Sequence, residues 1–117
     1  MDITGKAKKL SAYISARETY DGKPLYTALV DSARTAGCAG ATVLRGIEGF
    51  GATSRIHGAH ALRMSADEPV VVTVVDGASR IAALAAMFAA MVGDGLVTLE
   101  DVEVVAYRGG VTERKGE

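Results

Sequence analysis

The chain repeats one order of sequence patterns, and this repeat constrains its fold more than any other feature. Strand-like alternation of apolar and polar residues comes first, apolar residues at helical spacing follow, and a second strand-like segment closes each half. The six segments are residues 9–17, 25–36, 41–47, 70–75, 81–91 and 97–107. The order β-α-β-β-α-β predicts a ferredoxin-like α+β fold with a four-stranded antiparallel sheet.

The signals at the ends of these segments agree with that prediction. A turn at residues 20–24 places Pro24 where a proline fits the first turn of a helix, and Gly37 is typical of a helix end. Ser79 is a candidate cap of the second helix. A doubly wound parallel sheet needs more strands and a glycine turn after strand one, where residues 17–19 read Arg-Glu-Thr, so it is the disfavoured alternative.

Strand three predicts self-association. Its valines alternate to both sides of the sheet over residues 70–75, whereas two helices can cover only one face of a four-stranded sheet. An exposed valine-rich face is an association hazard unless something covers it. A second copy of the chain is the simplest cover, so we expect a homo-oligomer.

Length and composition exclude several classes of protein. A chain of 117 residues predicts one domain, with an ordered core over about residues 9–108 and a polar tail after it. The net charge of −1 argues against a nucleic-acid partner, and no apolar run is long enough for membrane insertion. Cys38 is the only cysteine, and no signal peptide precedes the domain, so we expect a cytoplasmic protein.

A long loop over residues 48–69 is the leading candidate for function, because structureless connections of this length are uncommon in compact domains. Its glycines would let backbone N–H groups approach an anion, and Arg45, Arg55 and Arg63 could contact a phosphate. In the alternative interpretation the glycines only turn the chain and the arginines face solvent. The turn at residues 93–95 has the same two interpretations, a phosphate contact or a helix end.

Two histidines in the loop suggest a second class of function. His57 and His60 are three residues apart, and Asp67 and Glu68 could complete a metal site. No Ser-His-Asp arrangement or other catalytic set can be argued from the sequence, so we expect a non-enzymatic protein without a cofactor or resident metal. A small metal-binding protein or enzyme that uses His57 and His60 is the alternative.

Several motifs in the same order resemble a known family. These are Asp21-Gly22-Lys23-Pro24-Leu25-Tyr26, residues 39–46 with Gly49-Phe50-Gly51, Ser54-Arg55-Ile56-His57, and residues 95–102. Together they are similar to domain-of-unknown-function family one-ninety of bacteria and archaea, and the similarity spans about residues 9–108. That family resembles the PII signalling proteins, which are ferredoxin-like trimers that bind adenine nucleotides between subunits and engage partner proteins through the long loop.

The resemblance implies a homotrimer, an adenine nucleotide as effector, and a protein target such as a membrane transporter, a channel or an enzyme. Residues 49–51 match the glycine-aromatic-glycine at the base of the PII loop, and residues 93–95 resemble the nucleotide-contacting turn. The candidate ligand-binding residues are then Arg45, Gly46, Gly49, Phe50, Gly51, Arg55, Gly93, Asp94, Gly95 and Arg108. The candidate partner-binding residues of the loop are Ser54, Arg55, His57, His60 and Arg63.

Overall fold

A computed structural model describes residues 2–51 and 68–109 of the chain. Within them lie six strands and two helices, in the order β1 (Gly5–Ser15), β2 (Thr19–Tyr20), β3 (Lys23–Pro24), α1 (Leu25–Thr35), β4 (Thr42–Arg45), β5 (Pro69–Asp76), α2 (Ala78–Met91) and β6 (Leu96–Val104).

The four longer strands form one sheet in the order β4-β5-β1-β6, and every neighbouring pair is antiparallel. The central strand β1 pairs with β5 on one side and with β6 on the other. This arrangement confirms the predicted α+β fold with a four-stranded antiparallel sheet. The short strands β2 and β3 form a separate hairpin, in which Asp21 (φ 50°) and Gly22 (φ 80°) provide the positive φ angles of a tight two-residue turn.

Both described helices pack on one face of the sheet. Side chains of β1 and β5 that point to this face alternate with side chains on the other face, because successive residues of a strand point in opposite directions. The largest buried apolar side chains are those of Leu10, Leu25, Leu29, Val72, Val74, Ile81, Leu84 and Phe88. They form one core between the helices and the sheet.

Some predicted boundaries were wrong. Strand β1 begins at Gly5, four residues earlier than predicted, because its first residues pair with β6 up to Val104. Helix α2 begins at Ala78 with Gly77 as its N-cap residue, so Ser79 is not the cap. Pro24 takes the N-cap position of α1, one residue before the first turn. Gly37 ends α1 as predicted, with a φ of +80°.

The other face of the sheet carries a row of hydroxyl side chains between apolar ones. Thr42, Thr73, Ser11 and Thr98 are direct neighbours across the four strands. The next row toward the loop contains Leu44, Val71, Tyr13 and Leu96, of which Leu44 and Leu96 are more than half exposed. Neither described helix lies over this face, in agreement with the sequence argument that it needs another cover.

Candidate functional site

The two ends of the long loop are joined at one end of the sheet. Arg45 is the ladder partner of Val70, and beyond it the Gly46 N–H donates to the Pro69 carbonyl oxygen at 2.7 Å. A Cβ on Gly46 would lie 2.7 Å from the Pro69 ring Cγ, which is closer than real Cβ atoms come. Contact with Pro69 therefore requires a glycine at position 46, whatever the loop binds.

Arg45 is held by an acidic residue from the other end of the loop. Its Nε lies 2.5 Å from Oε2 of Glu68, and the Arg45 side chain is 69% exposed whereas that of Glu68 is 16% exposed. The Glu68 backbone is fixed as well, because its carbonyl oxygen accepts a hydrogen bond from Ala16 N–H at 2.9 Å. The predicted phosphate-binding arginine thus has a mostly buried carboxylate beside it.

The glycine-aromatic-glycine at residues 49–51 leads away from the sheet. A Cβ on Gly49 would lie 3.4 Å from Pro69 Cγ, an ordinary van der Waals distance, so Gly49 is not sterically required there. Phe50 is 80% exposed and Ile47 is almost fully exposed. This segment offers an apolar ring and backbone groups to a partner or ligand at the loop end of the sheet.

The turn at residues 93–95 lies at the same end of the sheet but at the opposite edge. Leu96 pairs with Tyr13 on the central strand, and a Cβ on Gly95 would come within 2.5 Å of the Tyr13 carbonyl oxygen. Close approach to β1 therefore explains Gly95, whereas Gly93 has open space around it. Three strand spacings, about 14 Å, separate this turn from Arg45 in one chain.

The structure does not place the other candidate residues at the loop end of the sheet. Arg108 is exposed and follows β6, whose last residue Val104 pairs with Gly5 at the far end of the sheet. The loop candidates Ser54, Arg55, His57, His60 and Arg63 lie outside the described residues. Over 2–51 and 68–109, no group of three or more His, Cys, Asp or Glu side chains could hold a metal ion.

Sequence reasoning missed two carboxylates that organise the ends of the sheet. It considered Glu68 only as a metal ligand, although Arg45 and Glu68 flank the loop where two antiparallel strands meet, a placement that could have suggested the pair. Asp76 was not considered at all. The signal available for it was an acidic residue at the end of a valine-rich strand, directly before a glycine and a helix.

The Asp76 carboxylate is buried at the end of the sheet opposite to the loop. It accepts hydrogen bonds from the backbone N–H groups of Ala39 and Gly77, both at 2.7 Å, and it lies 3.4 Å from Nη1 of Arg80. An open polar cleft of about 380 Å³ lies beside it. Its lining residues are Asp2, Ile3, Thr4, Lys6, Asp76, Gly77, Ser79 and Arg80. This cleft therefore lies at the end of the sheet opposite to the loop.

Cys38 lies near this buried carboxylate. Burial raises the pKa of its thiol above the ordinary value of 9.0, the negative charge of Asp76 raises it further, and Arg80 opposes this effect. The thiol consequently stays protonated near neutral pH. This is the behaviour of a small, half-buried apolar residue rather than of a reactive cysteine.

Neither helix of the described part of the chain is long and apolar enough to cross a membrane.

Comparison with solved structures places the fold among PII-like proteins. The structure of CPII from Thiomonas intermedia K12 bound to ADP and bicarbonate has a TM-score of 0.58 and 19% identity. The structure of CPII, a nitrogen regulatory PII-like protein from the same organism, bound to ADP, AMP and bicarbonate, has a TM-score of 0.59 and 19% identity. In both, the match covers 86% of this chain and 90% of the other.

Curated relatives match over almost the whole chain. A UPF0166 protein of Aquifex aeolicus (strain VF5) is 37% identical over 100 residues, covering 86% of this chain and 94% of the relative. A UPF0166 protein of Methanocaldococcus jannaschii is 28% identical over 109 residues, covering 92% and 98%. The DUF190 family model, described as "Uncharacterized ACR", matches residues 7–104. These matches show that the chain belongs to the DUF190 family, and its fold is similar to that of the PII-like structures.

Proposed function

We propose that this chain is a non-enzymatic, single-domain signalling protein of the cytoplasm. It forms a homotrimer and binds an adenine nucleotide in the clefts between subunits. The bound nucleotide changes the conformation of the long loop, which regulates a partner transporter, channel or enzyme.

The position of the two candidate segments carries this proposal. Arg45 is the last residue of the edge strand β4 and Gly95 precedes the edge strand β6, both at one end of the sheet. Within one chain they are too far apart to hold one phosphate group. In a closed ring of identical chains, the β4 edge of one subunit adjoins the β6 edge of the next, and both segments border the same cleft.

The exposed side chains of the two edges support such a ring. Leu44 and Ile47 are exposed at the β4 edge, and Leu96 and Leu99 are more than half exposed along β6. Strand β6 is nine residues long and has β1 as its only neighbour in the described sheet. Long unpaired edges with apolar side chains favour association with another chain, so a second subunit is the natural cover.

The choice of an adenine nucleotide rests on the structural neighbours. CPII has been solved with ADP and bicarbonate, and with ADP, AMP and bicarbonate. The present chain has the same kind of fold, and Arg45 provides an exposed guanidinium suited to a phosphate oxygen. We extend the ligand class of CPII to this chain on these two grounds.

The test combines ligand binding with oligomeric state. Light scattering after size-exclusion chromatography should give a trimer, and a thermal-shift panel of AMP, ADP, ATP, cyclic nucleotides, bicarbonate and divalent metals should give a selective shift with an adenine nucleotide. At 100 times its dissociation constant, a ligand stabilises the native state by about 2.7 kcal/mol. The nucleotide should be recovered unchanged after incubation.

Substitution of Arg45 tests whether the nucleotide binds at the base of the loop. Arg45→Ala should weaken nucleotide binding about tenfold or more, since it removes a charge-assisted contact. Arg34→Ala is the matched control, because the Arg34 side chain on α1 is similarly exposed and also forms an ion pair with a carboxylate, that of Asp31. A stable monomer would contradict the proposal. A transition that moves with metals but with no nucleotide would also contradict it, and would favour a metal site at His57 and His60.

A further inference from the structure

The ion pair between Arg45 and Glu68 limits how an anion can bind to Arg45. Glu68 is fixed by the backbone hydrogen bond from Ala16 and precedes Pro69, whose carbonyl oxygen accepts from Gly46. The end of the sheet therefore holds both partners in place, and the ion pair belongs to the closed base of the loop.

The two partners differ in exposure. The Glu68 side chain is 16% exposed and the Arg45 side chain is 69% exposed. If an anion pulled Arg45 away, it would leave a mostly buried carboxylate without its cation, which is strongly unfavourable. A phosphate that binds Arg45 therefore binds beside Glu68 rather than in its place.

The described charges at this end of the sheet are negative overall. The described segments that enter or leave the sheet here, residues 16–18, 45–51, 68 and 92–95, carry two arginines and four carboxylates. These residues are Arg17, Arg45, Glu18, Glu48, Glu68 and Asp94. Each additional negative charge on a ligand therefore meets repulsion, and the repulsion is greatest from a carboxylate that water does not surround.

We propose that Glu68 is a specificity-determining residue, which orients Arg45 toward one phosphate group and makes the site select adenosine monophosphate over adenosine triphosphate. This inference rests on the proposed nucleotide site. Glu68 acts through Arg45 and through its own charge, so its removal changes the ratio of the two affinities. A merely structural residue would weaken both affinities equally.

The experiment measures dissociation constants of AMP and ATP by calorimetry with the full-length protein, with divalent cations chelated. The wild type should bind AMP more tightly than ATP, and Glu68→Gln, which removes the charge but keeps the shape, should improve ATP relative to AMP about tenfold. Glu48→Gln is the matched control, because Glu48 is an exposed glutamate at the same end and its charge is screened by water.

A second measurement needs no variant, in case Glu68→Gln fails to fold. Added salt screens repulsion, so the preference of the wild type for AMP over ATP should shrink as ionic strength rises. Tighter binding of ATP than of AMP by the wild type, or an unchanged ratio in Glu68→Gln, overturns this inference and leaves the nucleotide site standing. Binding of neither nucleotide overturns the inference and the proposed function together.

Discussion

The two ends of the sheet differ in how their polar groups are satisfied. At the Asp76 end, a buried carboxylate accepts hydrogen bonds from two backbone N–H groups and lies near a guanidinium, all within one chain. At the loop end, Arg45 extends into solvent beside Glu68, and Phe50 is exposed. An open polar cleft lies at the first end, whereas the candidate ligand-binding residues Arg45 and Phe50 lie at the second.

A cleft and the exposed candidate residues therefore lie at different ends of this sheet. The Asp76 carboxylate fastens the loop after α1 to the start of α2, so it serves the fold. At the loop end, Arg45 and Phe50 expose most of their side chains in the described part of the chain. Substitutions at the Asp76 end should therefore affect stability, whereas those at the loop end should divide between stability and binding.

The largest effect is expected at Asp76. Asp76→Ala leaves the backbone N–H groups of Ala39 and Gly77 without their acceptor, so the free energy of unfolding should fall by about 3 kcal/mol. Urea unfolding at one fixed protein concentration measures it. Asp101→Ala is the control, since that side chain is 84% exposed in its pair with Lys8 and should cost less than about 1 kcal/mol. Equal losses of unfolding free energy in the two variants would show that the buried Asp76 carboxylate contributes no more to stability than an exposed one.

The next effect separates folding from binding in the turn before β6. Gly95→Ala forces a Cβ against the Tyr13 carbonyl oxygen and should lower the free energy of unfolding by about 2 kcal/mol. Gly93→Ala, with nothing within 4 Å of the new atom, should change it by less than about 0.5 kcal/mol. Thermal unfolding of both variants measures this. A destabilised Gly93→Ala with an unaffected Gly95→Ala would show that the packing argument is wrong.

A smaller effect is expected at the base of the loop. Gly46→Ala pushes a Cβ into the Pro69 ring and should cost about 1 kcal/mol, whereas Gly49→Ala meets Pro69 at an ordinary distance and should be nearly neutral. Chemical denaturation compares the two. If both variants lose nucleotide affinity while only the first loses stability, the two glycines differ in role as the structure indicates. Similar stability losses would contradict it.

The smallest expected effect is the pH dependence of stability that the Cys38 thiol contributes at the Asp76 end. Since the pKa of Cys38 is raised in the folded state, the stability that this group contributes is fully present below pH 9.0 and is lost as pH rises through the folded-state pKa. Alkylation of this single cysteine should therefore accelerate only at a pH above its ordinary range. In folded Asp76→Asn the pH midpoint of Cys38 alkylation should move down, because the Asp76 charge that raises the thiol pKa is gone. An unchanged alkylation midpoint would show that Asp76 does not influence Cys38.

The periodicity of the sequence predicted the main sheet and both helices because each segment is long enough to show its pattern. The β5 valines and the apolar stripe of α2 are examples. Boundaries were less predictable. Residues 5–8 are Gly-Lys-Ala-Lys, with alanine as their only apolar side chain, and they are strand residues because β6 pairs with them. The hairpin turn at residues 21–22 was predicted as a turn, but its short strands have no periodicity to detect.

The candidate site was only partly predictable. Glycines at positions 46 and 95 were candidates in the sequence. Whether such a glycine makes room for a ligand or for a neighbouring part of the chain depends on which atoms a Cβ there would contact. Pro69 and the Tyr13 carbonyl oxygen supply that answer. The expected ligand class came from the resemblance of the motifs to a known family, because periodicity and composition do not identify a ligand.

Local periodicity was sufficient to predict the order of the four main strands and two helices, the apolar core and the uncovered sheet face, because it reports which side of each element avoids water. The contact of Glu68 with Arg45, and the hydrogen bonds by which Asp76 joins the loop after α1 to α2, became visible only in the folded chain. Those contacts join residues 23 and 37 positions apart in the chain, counting from 45 to 68 and from 39 to 76. Strand register sets such distances, and register depends on the whole sheet.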